Sequence, residues 1–176
     1  MKFTVIAVGK LKERFWSDAC SEYLKRLQPY AKTKVIEIAD VDPARVGGEA
    51  ASIEREGASI LKAIPERAHV VLLAIDGKQR SSEGLSRRID ELGIGGVGEA
   101  VFVIGGSCGV SADVRARADE TLSFGLITLP HNLARVVLLE QLYRACKISR
   151  GEPYHKEHAS IGSNSFSAHR VERRVK

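Results

Sequence analysis

The chain has 176 residues with 44% hydrophobic and 28% charged residues, enough apolar material for one buried core and far from the composition of a disordered chain. Three widely separated cysteines, Cys20, Cys108 and Cys146, exclude a disulfide framework and a Cys-x-x-Cys metal knuckle, so no metal is expected. The formal charge is +5, of which residues 158–176 supply three units through Arg170, Arg173, Arg174 and Lys176 against Glu172, leaving a mildly basic body compatible with a polyanionic partner.

The opening apolar run, 3–8, is too short for a signal peptide, and the longest later one, 70–75, falls well short of a membrane span. A soluble, cytoplasmic protein without membrane contact is expected. Five β-rich runs, at 2–8, 34–38, 70–75, 100–104 and 121–126, alternate with helical segments, which predicts an α/β fold with a mostly parallel sheet covered by helices on both faces. A first helix over 14–28 sets Phe15, Ala19, Tyr23 and Leu27 on one stripe and stops at Pro29. Phe15, Trp16 and Tyr23 read as part of the core. Residues 40–48, with Pro43, Gly47 and Gly48, read as a flexible loop before a helix over 49–64, and Ser82 as the cap of a helix over 83–93.

The last helix opens at a candidate cap, Asn132, and ends before Gly151 and Pro153. Its apolar residues, from Leu133 through Val136, Val137, Leu138, Leu139 and Leu142 to Ile148, cover more than one face. A helix packed only on its own sheet shows one stripe, so the second face predicts burial against another copy in an isologous dimer; a helix sandwiched within one chain is the alternative. Residues 158–176, rich in Ser and His with a basic end, read as a disordered extension of a domain spanning 1–157.

Two segments carry chemistry. Gly105-Gly106-Ser107-Cys108-Gly109 lies between a strand and a helix, where backbone without side chains can approach a ligand closely or form a turn capped at Ser111. The same letters spell Gly-x-Ser-x-Gly, a nucleophile elbow. Asp113 or Asp119 and then His131 follow in hydrolase order, so a small serine hydrolase is one reading. The second segment runs Leu126-Ile127-Thr128-Leu129-Pro130-His131 into the last helix, which carries Glu140, Tyr143 and Arg144 and leads to Pro153-Tyr154-His155.

Together with Val8-Gly9, Glu22-Tyr23-Leu24, Asp76-Gly77-Lys78 and Ile104-Gly105-Gly106, these residues make positions 1–157 resemble the ribosomal large-subunit methyltransferase H family of the SPOUT superfamily. The resemblance implies a C-terminal trefoil knot, a homodimer, and transfer of methyl from S-adenosylmethionine to N3 of a pseudouridine in 23S rRNA within the ribosome. It places the cofactor at Leu73, Gly105, Phe124, Gly125, Leu126, Ile127, Thr128 and Leu129. Ser107-Cys108 stands where the family often carries a small-acidic pair, so Cys108 does not inherit an acidic role.

The motif brings forward His131, His155, Glu140 and Arg144 as polar groups, and His155, Tyr154 and Arg144 are expected to serve the catalytic step. Tyr154 suits base stacking, and His155 suits phosphate binding or N3 deprotonation. Arg144 suits an RNA phosphate, though with Glu140 four residues earlier it also fits an intrahelical ion pair. His131 equally fits a turn-fixing role beside Pro130. Basic charge and stacking residues alone would also suit a non-catalytic RNA-binding protein.

Overall fold

The computed structural model of the protein describes residues 1–154; His155 and the 158–176 extension lie outside the described residues. Along each strand, side chains alternate between the two faces of the sheet, and both faces are apolar here, as a sheet covered on both sides requires. In β1 (Lys2–Val8), Phe3, Val5 and Ala7 enter one core while Ile6 and Val8 enter the other. The strands β2 (Lys32–Ile38), β3 (His69–Gln79), β4 (Glu99–Ile104) and β5 (Glu120–Ser123) complete an all-parallel sheet in the order β2-β1-β4-β3-β5. Their C-terminal ends therefore share one edge.

One face is covered by α1 (Arg14–Leu27), α4 (Ser82–Ile94) and α6 (His131–Ser149), whose Cys20, Leu27, Leu85, Ile89, Leu138, Leu139 and Leu142 share a core with Phe3 and Phe102. The other is covered by α3 (Glu49–Ala63) and α5 (Ala112–Arg117) through Ile60 and Val114. Among the described residues, no helix is long and apolar enough to cross a membrane.

Several local expectations are corrected. The 40–48 stretch holds a short helix, α2 (Pro43–Val46), because Asp42 accepts from the Ala44 amide at 3.0 Å and Pro43 presets the first turn. Ser81, not Ser82, caps α4, accepting from Gly84 N at 3.1 Å; Ser82 donates instead to Gln141 at 2.8 Å. Pro130 occupies the cap position of α6, so Asn132 falls inside the first turn, where its Oδ1 is buried with no hydrogen-bond partner. The stripe of α1 holds at Tyr23 and Leu27, joined by Cys20 and Leu24, but Phe15 is 61% exposed and Trp16, partly buried, belongs to neither core cluster.

The mixed faces of α6 have an explanation within the chain, because the helix packs against both α1 and α4 as well as the sheet. Leu138, Leu139 and Leu142 are fully buried there, each stabilising by about 1.5–3 kcal/mol. Leu133 and Val137 stay partly exposed outside both core clusters.

The fifth strand is shorter than expected, ending at Ser123, and β3 is longer. Leu122 pairs with both Leu73 and Lys78, and residues 74–77 arch between them. The arch lies close on β5: a β-carbon at Gly77 would sit 2.8 Å from the Leu122 carbonyl carbon, and Ser123 Oγ donates to Ile75 O at 2.9 Å.

Candidate functional site

Where the arch inside β3 meets the loops that follow β4 and β5, an open cleft of about 900 Å³ forms, the size of pockets that hold drug-sized ligands. Leu73 and residues 74–76 form one wall, Gly105 to Val110 the second, and Phe124 to Leu129 the third, with Pro130, His131 and Ala134 at the start of α6 closing the base. The eight positions expected to hold a cofactor thus line a single cleft. Leu126 and Ile127 expose 83% and 68% of their surface, an apolar display that a folded chain tolerates poorly unless something covers it.

The glycine loop is held by its own packing. A β-carbon on Gly105 would lie 2.5 Å from Val110 Cγ1 and 3.0 Å from the Gly109 carbonyl oxygen, and one on Gly106 would lie 2.5 Å from Glu56 Oε2. Gly105, hemmed by backbone as well as Val110, is therefore closed to larger residues before any ligand is considered, whereas a larger residue at Gly106 would have to displace the end of the Glu56 side chain. Gly109 itself, at φ +100, takes the left-handed conformation that lets the turn close.

Ser107 is exposed, and its nearest polar partner is the Cys108 sulfur at 3.9 Å. Asp119 is engaged elsewhere, accepting from the Val70 amide at 2.7 Å and from Arg117 at 3.3 Å. Among the described residues, no hydrogen bond links Ser107, His131 and an aspartate, so the nucleophile elbow has no triad behind it. Ser111, by contrast, caps α5 as expected, accepting from Val114 N at 3.3 Å.

Arg144 and Tyr154 stand apart from this cleft. They sit thirteen residues or more beyond His131, and at about 1.5 Å per residue α6 carries Arg144 roughly 20 Å from the cleft base. There Glu140 is a shared acceptor: Arg144 donates from Nε at 3.0 Å and also from Nη2, Gln141 donates at 2.6 Å, and the Tyr154 hydroxyl donates at 3.3 Å. The Arg144 guanidinium lies 4.7 Å from the Tyr154 ring centroid, and Tyr143 meets the same ring edge-on at 4.9 Å. Burial, and then the Glu140 carboxylate, push the Tyr154 phenol up to about 12, so it remains a donor at any physiological pH.

The segment leading to Tyr154 is fastened to the end of α1. Glu152 accepts from Tyr30 Oη at 2.6 Å and from Lys147 Nζ, and the Arg150 guanidinium sits 4.5 Å from the Tyr30 ring centroid.

Two features escape sequence reasoning. Arg135 is only 1% exposed, donating to Glu37 Oε1 at 2.6 Å and to the Gly9 carbonyl at 2.8 Å, and so ties α6 to the ends of β1 and β2. An Arg inside an amphipathic helix ordinarily reads as surface. The other is the cleft-rim pair Arg115–Asp76 at 3.2 Å, whose partners are 39 residues apart in sequence.

Comparison with known proteins places this geometry. A family model described as "Predicted SPOUT methyltransferase" matches residues 1–155. Two relatives, each called "Ribosomal RNA large subunit methyltransferase H", from Bacillus thuringiensis (strain Al Hakam) and Bacillus cytotoxicus, are 49% identical over 159 residues, covering 89% of this chain and 100% of the relative. Among solved structures, a methylase family protein from Haemophilus influenzae superposes with a TM-score of 0.53 at 11% identity, covering 90% of this chain and 72% of its own. A methylase family protein from Neisseria gonorrhoeae gives 0.51 at 11% identity, covering 90% and 88%. At that identity these two speak for the fold alone.

Proposed function

Because the chain belongs to the SPOUT methyltransferase family, we propose that it is the rRNA methyltransferase its full-length relatives are named for, transferring the methyl group of S-adenosylmethionine to N3 of a pseudouridine in 23S rRNA of the ribosome. The observation that carries this reading is the meeting of Leu73, Gly105 and residues 124–129 in one apolar cleft. The donor set suits the cofactor. Adenine has flat apolar faces and polar edges, and the edges are read by backbone amides and carbonyls, which the glycine loop and the 124–129 loop offer without charged side chains in the way. A threaded, knotted C-terminal segment around the same loops is part of this reading.

When bound, the cofactor supplies an already activated methyl on its sulfonium, so the protein's task is to align acceptor and donor. Gly105 and Phe124 to Leu129 hold the donor. Tyr154 stacks on the RNA, Arg144 grips a phosphate, and His155 binds phosphate or takes the N3 proton. In one copy, roughly 20 Å of helix separates the first group from Arg144. A homodimer resolves that distance by setting the Arg144–Tyr154 end of one copy over the cleft of the other, and it covers Leu126, Ile127, Leu133 and Val137. The protein then acts in the cytoplasm, where ribosomes are found.

Two measurements test this together: calorimetric titration with S-adenosylhomocysteine, and methyl transfer to ribosomes lacking the modification. Binding with transfer is expected; binding without transfer removes the rRNA step, and absence of binding removes the cleft assignment. Labelling of Ser107 by a fluorophosphonate would instead return the hydrolase reading.

A further inference from the structure

The segment from Gly9 to Trp16 presents an aromatic pair that the fold does not use. Phe15 is 61% exposed, and its ring rests on Trp16, centroid to centroid 4.9 Å at 50°. Trp16 is partly buried and anchors the pair, while the outer face of Phe15 is open. The segment is fixed at both ends. Gly9 N donates to Ile38 O at 2.8 Å, Leu11 N to Glu37 Oε1 at 3.3 Å, and Trp16 N to Glu13 O at 3.2 Å. The backbone beneath the ring is thus held in place, and the ring itself rests on Trp16, which lowers the ordering cost of binding.

Charge and place say what the pair is for. Lys10, Lys12 and Arg14 flank it, against Glu13 and Asp18; Asp18 pairs with Arg14 at 3.4 Å, while Lys10 and Lys12 are exposed with no carboxylate partner among the described residues. The segment also adjoins the cleft, since a β-carbon on Gly9 would sit 2.8 Å from Nε2 of His131, a residue of the cleft base. Resting on the rRNA methyltransferase reading, we propose that Phe15 and Trp16, with Lys10 and Lys12, form a second RNA contact: a platform on which an unpaired base next to the target nucleotide stacks while the two lysines meet the neighbouring phosphates.

An aromatic face takes any base because every base has a π-face, and fixed basic groups track the backbone, the combination seen in single-strand binding. A second copy of this chain is the poorer occupant. Two-fold packing through this face would bring the lysines of one copy toward those of the other.

Trp16 is the only tryptophan in the chain, so its emission reports on this platform alone. Full-length protein is titrated with a single-stranded oligouridylate, and the affinity, its salt dependence and the KM for ribosomes are compared across variants. Quenching of Trp16 is expected. Phe15→Leu, which keeps an apolar side chain but removes the ring, weakens binding and raises KM about tenfold with little change in kcat. Lys10→Ala with Lys12→Ala lowers the slope of log affinity against log salt by roughly 1.4, at about 0.7 for each lost phosphate contact.

Unaltered Trp16 emission at saturating RNA, or a Phe15→Leu protein that binds as tightly as the wild type, overturns the platform. So does a Phe15→Leu protein whose mass by light scattering halves while its RNA affinity holds, since that marks a protein–protein surface. Quenching in a protein that binds S-adenosylhomocysteine but never methylates rRNA removes the enzymatic reading and leaves the platform standing.

Discussion

Arg135, the largest fully buried side chain, reaches from α6 to place Nη1 2.6 Å from Glu37 Oε1 at the end of β2. This pair fixes the first turn of α6, and with it His131 and the base of the cleft, against the strands. Removing one partner of a buried ion pair leaves the other unpaired, at greater cost when the charge left behind is the more deeply buried one, here Arg135 at 1% exposed against Glu37 at 35%. Glu37→Ala is therefore expected to destabilise by about 2–3 kcal/mol, below the roughly 3–5 of a fully enclosed pair because the Glu37 side chain is 35% exposed. Arg135→Met is expected to cost less than Glu37→Ala. Urea unfolding of the two variants checks the order, and the reverse order would mean that the arginine acts mainly through the Gly9 carbonyl.

Gly105→Ala is expected to lower affinity for S-adenosylhomocysteine at least about tenfold, since the new methyl meets Val110 and pushes the loop out of line. A second change, Val110→Ala, should recover only part of the loss, because the Gly109 carbonyl remains 3.0 Å away. Calorimetry on the single and double variants reads this directly; full recovery would assign the whole effect to the valine.

For assembly, the informative positions are those on α6 that the chain leaves partly open. Leu133→Glu or Val137→Glu should halve the mass seen by light scattering and leave the circular dichroism spectrum unchanged. Leu139→Glu should instead unfold the protein, since that side chain is fully buried within one copy. A wild-type monomer at micromolar concentration would remove the dimer from the mechanism.

Glu120 gathers His69 at 2.9 Å, Arg88 at 3.0 Å and Arg80 at 2.9 Å. Burial acts to raise its pKa, but the hydrogen bonds from His69, Arg88 and Arg80 outweigh it and hold the carboxyl below its ordinary value. A depressed carboxylate stabilises the fold above its unfolded pKa of about 4.3, and that contribution is lost as pH falls through the lower folded value. Glu120→Gln should be less stable than the wild type at neutral pH, with the gap narrowing below about pH 4.3. Urea unfolding from pH 7 to pH 3 tests the sign; a gap that widens on acidification would contradict it.

Tyr154→Ala should weaken RNA binding by about 1–3 kcal/mol, the range for a lost base stack, and Tyr154→Phe should retain most of it. Both should bind S-adenosylhomocysteine normally. Since the phenol sits near 12, no step in the activity profile below pH 10 should disappear in Tyr154→Phe. Deletion of residues 158–176 should leave transfer intact, and a folded but inactive truncation would assign those residues a role.

The local sequence was enough for the alternation of strands and helices, for the cap at Ser111 and the stop at Gly151, and for the loops that follow β4 and β5, whereas Leu73, read as the start of a third loop, lies inside β3. Periodicity and turn chemistry act over a few residues, so they are legible without a fold. In an all-parallel sheet the ends of β4 and β5 must also gather on one edge, which is why loops 105 and 124–129 meet; the arch inside β3 adds Leu73 to them. Only the tertiary structure decided the strand order, the partners of α6 and the distance between Arg144 and the cleft.

It also reversed particular readings. Phe15 and Trp16 both read as core, yet neither joins a core cluster, while Cys20 and Leu24 of the same helix do. Arg135 reads as a surface residue until Glu37 and the Gly9 carbonyl, 98 and 126 residues away, close around it. Asn132 has the chemistry of a cap, but the arrival of Pro130 from the cleft loop starts the helix first. Each of these outcomes depends on groups distant in the chain, whose approach is set by packing across the whole domain and leaves no mark on the residues nearby.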